Sequence, residues 1–182
     1  MADNYLENKM EEYRSGKLSG RHRKLSSPQI RHSPSYPELK VFVAAEKADL
    51  RKAIVTEFRN AGCKVAFCDT DLKASAAFAQ HNGSRFYPAS DEEMSNPGHF
   101  IQNAAKVWDG LDIVILYHTE SQTLTVGEYG RDYKCSITLT HNRPHSGREA
   151  CPDDVARLCK FLADPANRFL DGATLSVSYS RQ

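Results

Sequence analysis

The stretch KVFVAAEKADLRKAIVTEFRNAGCKVAFCD, residues 40–69, carries the clearest fold signal in the chain. Residues 41–45 form a short apolar run rich in β-branched and aromatic side chains, which is typical of a buried strand. Residues 65–68 form a second such run that ends in Asp69. Between them, apolar residues recur every three or four positions, as on a helix lying against a sheet, and Gly62 ends that helix: Leu50, Ala53, Ile54, Phe58 and Ala61. The stretch predicts one β-α-β unit with a right-handed crossover.

Length and composition limit the classes of protein that fit. A chain of 182 residues, 40% hydrophobic and 26% charged, suits one globular domain with a full core. The formal net charge of +1 points to no strongly charged partner for the chain as a whole. Five cysteines without a C-x-x-C pair favour reduced thiols. With no long apolar run and no signal-like N-terminus, the sequence predicts a cytoplasmic protein without membrane contact.

Residues 1–38 differ from the rest and predict an N-terminal extension before a single domain at 39–182. The extension starts with a short amphipathic helix and continues as a basic, Ser/Pro-rich segment. Between Arg14 and Pro37 there are six lysines and arginines and no acid. Such a segment could tether the chain to nucleic acid or another acidic partner. It could equally pack on its own domain or on a second subunit. The second interpretation is favoured because no aromatic platform accompanies the charges, so nucleic-acid binding is not expected.

The remaining pattern alternates strands and helices. Helices are predicted at residues 72–81, 97–108 and 152–164, and strands at 85–89, 111–116, 135–140 and within 169–177. The run at 111–116 is the most hydrophobic and is expected at the centre of the sheet. Residues 124–126 are left as either a short strand or half of a hairpin.

Three parts of this pattern resemble the short-chain dehydrogenase/reductase family, the single-domain Rossmann oxidoreductases. They are the unit at 40–69, the sequence Gly-Leu-Asp-Ile-Val-Ile at 110–115, and the C-terminal pattern Asp-Val-Ala…Phe-Leu…Gly-x-x-Leu-x-Val within 154–177. The resemblance implies an α/β fold, a Rossmann-like three-layer α/β/α arrangement around a mainly parallel sheet of about six strands. It also implies a homodimer that pairs through the C-terminal helix and last strand.

The family's functional motifs are missing, which marks the chain as similar to a truncated and degenerate member. The three glycines of Thr-Gly-x-x-x-Gly-x-Gly fall on Ala45, Asp49 and Arg51. Glycine lets the backbone approach a pyrophosphate, and Asp49 adds a negative charge at the helix N-terminus. Tyr129 is followed four residues later by Tyr133 instead of the family's lysine. Lys134 comes one position later, about 100° away around a helix.

The resemblance implies cofactor-binding positions at the strand ends, where open α/β sheets bind ligands. Asp69 corresponds to the acid that bonds the ribose hydroxyls, Asp91 to the acid at the adenine, and Ala45 to the start of the phosphate loop. Tyr117 and His118 follow the central strand. They could form a polar pocket with His118 as an acid or base, or they could fill the space of a lost cofactor. No catalytic residue is assigned.

A metal site is not expected. The pattern His141-x-x-x-His145 with Cys151 lies on a proline-containing segment, where two ligands would not face together as they do on a helix.

The sequence therefore predicts a degenerate protein of this type, without dehydrogenase activity, that serves as a binding or structural module. No cofactor is expected. NAD(H) is the one cofactor whose binding should be tested. The alternative is an NAD(P)-dependent oxidoreductase with an atypical site near Asp69, Tyr117 and His118. A second alternative is a module tethered to an acidic partner by its basic N-terminal segment.

Overall fold

The β-α-β unit predicted for residues 40–69 is present in the computed structural model, which describes residues 39–132, 134–140 and 148–179. It consists of β1 (Lys40–Ala45), α1 (Ala48–Asn60) and β2 (Lys64–Asp69). The two strands are parallel, with Val41 opposite Val65. Gly62 follows the helix with φ of 87°, a left-handed conformation that suits glycine. This prediction is confirmed.

Ten further elements follow in the described residues. They are α2 (Leu72–Asn82), β3 (Arg85–Pro88), α3 (Asp91–Ser95), α4 (Gly98–Trp108), β4 (Ile113–His118), β5 (Thr123–Glu128), β6 (Lys134–Thr140), α5 (Pro152–Ala163), a 3-10 helix (Pro165–Leu170) and β7 (Thr174–Ser178).

The strands form one sheet in the order β3-β2-β1-β4-β5-β6-β7. The Rossmann-like α/β prediction is confirmed, with seven strands instead of about six and β4 at the centre as expected. The additional strand is β5, the segment left open between a strand and half of a hairpin. It runs antiparallel to both β4 and β6, while the other pairings are parallel.

Local chemistry explains where the helices differ from prediction. The short helix α3 was not predicted. Ser90 caps its N-terminus and forms a capping box with Glu93. Helix α4 begins one residue later than expected, with Pro97 at its cap position. Helix α2 has the predicted bounds to within a residue, but Leu72 is exposed and Ser75 is buried. Ser75 faces inward because it donates a hydrogen bond to Asp69.

Apolar side chains fill both faces of the sheet around β1. On one face, α1 and α5 pack over the strands, in a cluster that includes Ile54, Phe58 and Leu162. On the other face, α3 and α4 contribute Met94, Phe100 and Ala104 to a smaller cluster. These two layers and the sheet give the three-layer arrangement and place the helix α1 N-terminus at the carboxyl end of β1.

The second helical layer covers only part of the sheet. Its cluster draws on β1, β2, β3 and β4 and on no residue of β5, β6 or β7. On those three strands the residues that alternate with the buried ones are mainly hydroxyl-bearing and are exposed or half-buried: Thr123, Thr125, Ser136, Thr138, Thr174 and Ser176.

Several sequence predictions fall on residues that the structure does not describe. Residues 1–38, with the expected helix and basic segment, lie outside the described ranges, so the domain boundary at residue 38 stays a prediction. No helix in the described part of the chain is long and apolar enough to cross a membrane.

Candidate functional site

The carboxyl ends of β1, β2 and β4 meet where the strand order reverses, which is where open α/β sheets bind ligands. A cavity of about 720 Å³ lies at this edge. Its lining is rich in acidic side chains, with Glu46, Asp69, Asp91 and Glu120 against the single basic residue Arg51. His118 also lines it. We call this cavity the crevice.

Arg51 fills the position of the third loop glycine with a buried side chain. The residue is 3% exposed, and its guanidinium forms an ion pair with the carboxylate of Asp69. Its Nη1 also donates a hydrogen bond to the carbonyl oxygen of Ala45. The side chain therefore ties together the ends of β1 and β2, across the path a pyrophosphate would take over the turn.

Asp69 has no oxygen left for a ribose. Its Oδ2 accepts from Ser75 Oγ and pairs with Arg51, while its Oδ1 accepts from the backbone nitrogens of Thr70 at 2.7 Å and Asp71 at 3.3 Å. Burial raises the pKa of Asp69, but the hydrogen bond from Ser75 and the charge of Arg51 lower it by more than burial raises it. The pKa therefore lies below its ordinary value of 3.8. The pair is ionised at neutral pH, and each charge neutralises the other.

Two more carboxylates lie at the N-terminus of α1. Glu46 Oε2 accepts from the backbone nitrogen of Thr119 at 2.8 Å. Asp49 Oδ1 accepts from the backbone nitrogen of Leu50 at 2.8 Å, and its Oδ2 accepts from the hydroxyl of Tyr179 at 3.3 Å. Carboxylates are stable at this end of a helix dipole, and they take the place that favours a phosphate.

Glu46 also lies close to His118, with 3.7 Å between Oε1 and Nδ1. Burial raises the pKa of Glu46, but the hydrogen bond from Thr119 and the proximity of His118 outweigh it, so that the pKa is lowered below its ordinary value of 4.5. The carboxylate is therefore charged at neutral pH. It links the β1–α1 turn to the end of β4 across the floor of the crevice.

The structure separates the residues predicted for the cofactor site. Asp69, Asp91 and His118 line the crevice. Ala45 lies at its edge, with its carbonyl oxygen bonded to Arg51. Tyr117 does not line the crevice: it is buried in the core cluster on the opposite face of the sheet, opposite Leu124 of β5. Adjacent strand residues point to opposite faces, so only His118 can face a ligand here.

Tyr129 lies at the other end of the sheet. It follows β5, which runs antiparallel to β4, and its backbone nitrogen donates to the carbonyl oxygen of Asp112 at 2.9 Å. Asp112 immediately precedes β4, so this is the amino end of that strand. Tyr133 lies outside the described residues. Tyr129 therefore cannot reach a substrate in the crevice.

The sequence patterns did not reveal that Arg51 forms an ion pair. They also did not identify Ser75 and Glu46 as residues of the site. A signal for Arg51 was present, because it shares a helical face with Val55 and Phe58 at spacings of four and seven. An arginine on a buried helical face needs an acidic partner. Ser75 and Glu46 carry no comparable signal.

Within the described residues, no group of three or more His, Cys, Asp or Glu side chains is arranged to hold a metal ion. His141 and His145 of the sequence pattern lie outside the described ranges.

Solved structures share this fold at low sequence identity. A short-chain dehydrogenase/reductase from Serratia marcescens superposes with a TM-score of 0.55 and 14% identity, over 80% of this chain and 98% of that chain. A structure of BdcA in complex with NADPH superposes with a TM-score of 0.51 and 12% identity, over 79% of this chain and 96% of that chain. No protein-family model and no curated protein matches the sequence. At such identity the likeness concerns the fold alone: this chain has the Rossmann-like fold of the short-chain dehydrogenase/reductases.

Proposed function

We propose that this protein is a non-catalytic module with a short-chain dehydrogenase/reductase fold, and that it serves in binding or as a structural subunit. The observation that supports this proposal most is the buried ion pair between Arg51 and Asp69. It occupies the third glycine position with a guanidinium and uses up the carboxylate that would bind a ribose. The residues present do not fit a dinucleotide.

Electrostatics support the same proposal. A dinucleotide pyrophosphate carries two negative charges, and in this fold it lies at the N-terminus of the first helix. Here Glu46 and Asp49 lie at that helix end, and Asp49 is partly neutralised by Lys47, whose Nζ lies 3.5 Å from Asp49 Oδ2, so that Glu46 supplies most of the repulsion. Like charges about 5 Å apart repel by about 3 kcal/mol at an effective dielectric constant of about 20. The one buried arginine at the crevice is already neutralised by Asp69.

The placement of two tyrosines also supports a protein without dehydrogenase chemistry. Tyr129 lies at the amino end of the sheet, and Tyr117 lies in the core on the other face. Neither can act as the acid that the family places beside its substrate. Among the described side chains of the crevice, His118 is the one with an imidazole, and it faces Glu46.

The second candidate is an NAD(P)-dependent oxidoreductase with an atypical site. The crevice favours it, because a cavity of about 720 Å³ remains at the usual ligand position, with His118 in its wall. The fold likeness to BdcA, whose structure contains NADPH, also favours it.

Absorbance of the reduced nicotinamide, followed with NADPH or NADH and a panel of aldehydes and ketones, separates the two candidates. A non-catalytic module consumes no more reduced cofactor than a buffer blank. Consumption above the blank that disappears in His118→Gln would favour the oxidoreductase instead. Lys52→Gln, which changes an exposed residue of α1, serves as the control for purification and background activity.

We also propose that two copies of the chain pair through α5 and β7. β7 is an edge strand of the described sheet, and on its outer side the carbonyl oxygen of Ser178 accepts a hydrogen bond from the backbone nitrogen of Ala150 at 2.7 Å. Phe161 of α5 is 48% exposed, and Phe169 of the following 3-10 helix is 77% exposed. Exposed aromatic side chains are typical of an interface.

Phe161→Glu with Phe169→Glu is expected to convert a dimer to a monomer in sedimentation velocity, because a charge at each position opposes burial between two copies. Leu72→Glu, which changes an exposed apolar residue on α2, is the matched control and is expected to leave the dimer intact. A wild-type protein that sediments as a monomer at all concentrations would contradict the proposed pairing.

A reducing, cytoplasmic location is the last part of the proposal. All five cysteines lie in the described part of the chain and form no disulfide there, and four of them are buried: Cys63, Cys68, Cys135 and Cys159. Burial raises the pKa of Cys63 to about 11 and that of Cys68 to about 12. Such thiols are unreactive core residues, as expected for a protein that does not depend on disulfides.

A further inference from the structure

A second cavity lies at the opposite edge of the sheet, at the amino ends of β2 and β3. Its volume is about 260 Å³. Arg59 near the end of α1, Lys64 at the start of β2 and Arg85 at the start of β3 converge on it, and Trp108 at the end of α4 contributes to its wall. No acid lines it. We propose that this cavity binds an oxyanion of the phosphate type, either inorganic phosphate or the phosphate group of a phosphorylated small molecule.

Arg59 is held in position as an anion ligand would require. Its Nε donates to the carbonyl oxygen of Asn82 at 2.9 Å, and its Nη1 donates to the carbonyl oxygen of Cys63 at 2.6 Å. It forms no ion pair with a carboxylate in the described part of the chain. Two backbone carbonyls fix the plane of the guanidinium, while Nη2 keeps its donors available. A pre-positioned arginine with free donors is well suited to a phosphate.

Gly83 makes this position of the guanidinium possible. The residue has φ of 70°, and a Cβ added there would lie 3.0 Å from Arg59 Nη2. A larger residue would therefore be strained in its backbone and would press on the guanidinium.

A buried hydroxyl beside Arg59 lacks a partner. Ser84 lines the cavity, and within the described residues its Oγ is buried without a hydrogen bond. Within the described residues, the amide Nδ2 of the neighbouring Asn82 is also buried without a hydrogen-bond partner. A buried polar group left unpaired costs about 1–3 kcal/mol. Rotation of the Ser84 side chain toward the cavity would let its Oγ donate a hydrogen bond to a bound oxyanion and relieve that cost.

The two remaining cations add charge without competing partners. Lys64 and Arg85 are exposed, and neither forms an ion pair with a carboxylate in the described ranges. Arg85 lies over the ring of Tyr87, with 5.5 Å between its guanidinium carbon and the ring centroid. Three positive side chains around one cavity without an acid in its wall create a field that concentrates anions. The crevice at the other end of the strands is acidic, so the two cavities select opposite charges.

Trp108 provides the measurement, since it is the only tryptophan in the chain and lines the cavity. The full chain is titrated with inorganic phosphate and with glycerol phosphate at constant ionic strength while its fluorescence is recorded. A saturable change is expected. Binding is expected to weaken at least tenfold in Arg85→Gln and in Arg59→Gln. Lys73→Gln removes a charge from an exposed residue on α2 and is expected to bind as the wild type does.

Arg85→Gln is the decisive variant, because Arg85 makes no hydrogen bond that holds the turn, whereas Arg59 supports two carbonyls. Its thermal unfolding is expected to match that of the wild type. Tighter binding of glycerol phosphate identifies a phosphorylated small molecule, and tighter binding of inorganic phosphate identifies the free anion. The absence of a saturable change with both anions overturns the proposal, as does equal weakening in Arg85→Gln and Lys73→Gln.

Discussion

Asp69→Ala is expected to lower the free energy of unfolding by about 3–5 kcal/mol, since removing one partner of a buried ion pair leaves the other charge uncompensated. The guanidinium of Arg51 would keep only the carbonyl oxygen of Ala45 as a partner at this position. The inward-facing hydroxyl of Ser75 would lose its acceptor as well. Urea denaturation followed by circular dichroism measures the change.

Two variants show whether the loss comes from the buried pair. Arg131→Gln breaks an ion pair with Glu128 in which the arginine side chain is 65% exposed, and is expected to cost less than about 1 kcal/mol. Arg51→Met combined with Asp69→Leu removes both charges and is expected to be more stable than Asp69→Ala. If Asp69→Ala unfolds within about 1 kcal/mol of the wild type, the buried pair contributes no more to stability than an exposed ion pair does, and this prediction is wrong.

Restoring the three glycines is expected to create dinucleotide binding. In Ala45→Gly with Asp49→Gly and Arg51→Gly, the backbone can approach a pyrophosphate, and Asp69 is released to accept ribose hydroxyls. The variant is expected to bind NADH measurably, at least tenfold more tightly than the limit of detection that the wild type does not reach, which corresponds to a gain of at least about 1.4 kcal/mol. Isothermal calorimetry measures both proteins under the same conditions.

The matched control keeps three new glycines but leaves Arg51 in place. Ala45→Gly with Asp49→Gly and Lys52→Gly has the same number of glycines in α1, each of which costs about 1 kcal/mol of helix stability. No gain in affinity is expected from it, because the ion pair between Arg51 and Asp69 remains. Equal affinities for the two triple variants would show that another feature, such as Glu46, closes the turn.

Local sequence patterns were sufficient for most of the fold. The strands and helix of residues 40–69 have strong periodicity, and their bounds differ from the prediction by about one residue at strand ends. The orientation of β5 in the sheet was harder to predict. Its sequence alternates as a strand should, but alternation does not distinguish parallel from antiparallel pairing. A signal lay in its connection: only residues 119–122 separate β4 from β5, too few for a parallel crossover.

The sequence was sufficient to predict where the site lies, but not which of its side chains contact each other. Arg51 and Asp69 were both singled out, yet nothing in their spacing of eighteen positions states that they pair. The pairing depends on the closeness of the β1 and β2 ends, which only the folded sheet creates. Tyr117 and His118 were considered together at this strand end, and the structure places only His118 in the wall of the crevice. The apolar residues of β4 occupy both faces, so the pattern did not reveal which of the two points to the crevice.

Calorimetric titration of the wild-type chain with NADPH and NADH tests the central claim most directly, which is that the protein's own side chains close the dinucleotide position. With Arg51 paired to Asp69 and acids at the start of α1, the expected result is no measurable heat of binding up to millimolar cofactor. One molecule bound per chain with micromolar affinity would contradict the claim and leave only the fold standing.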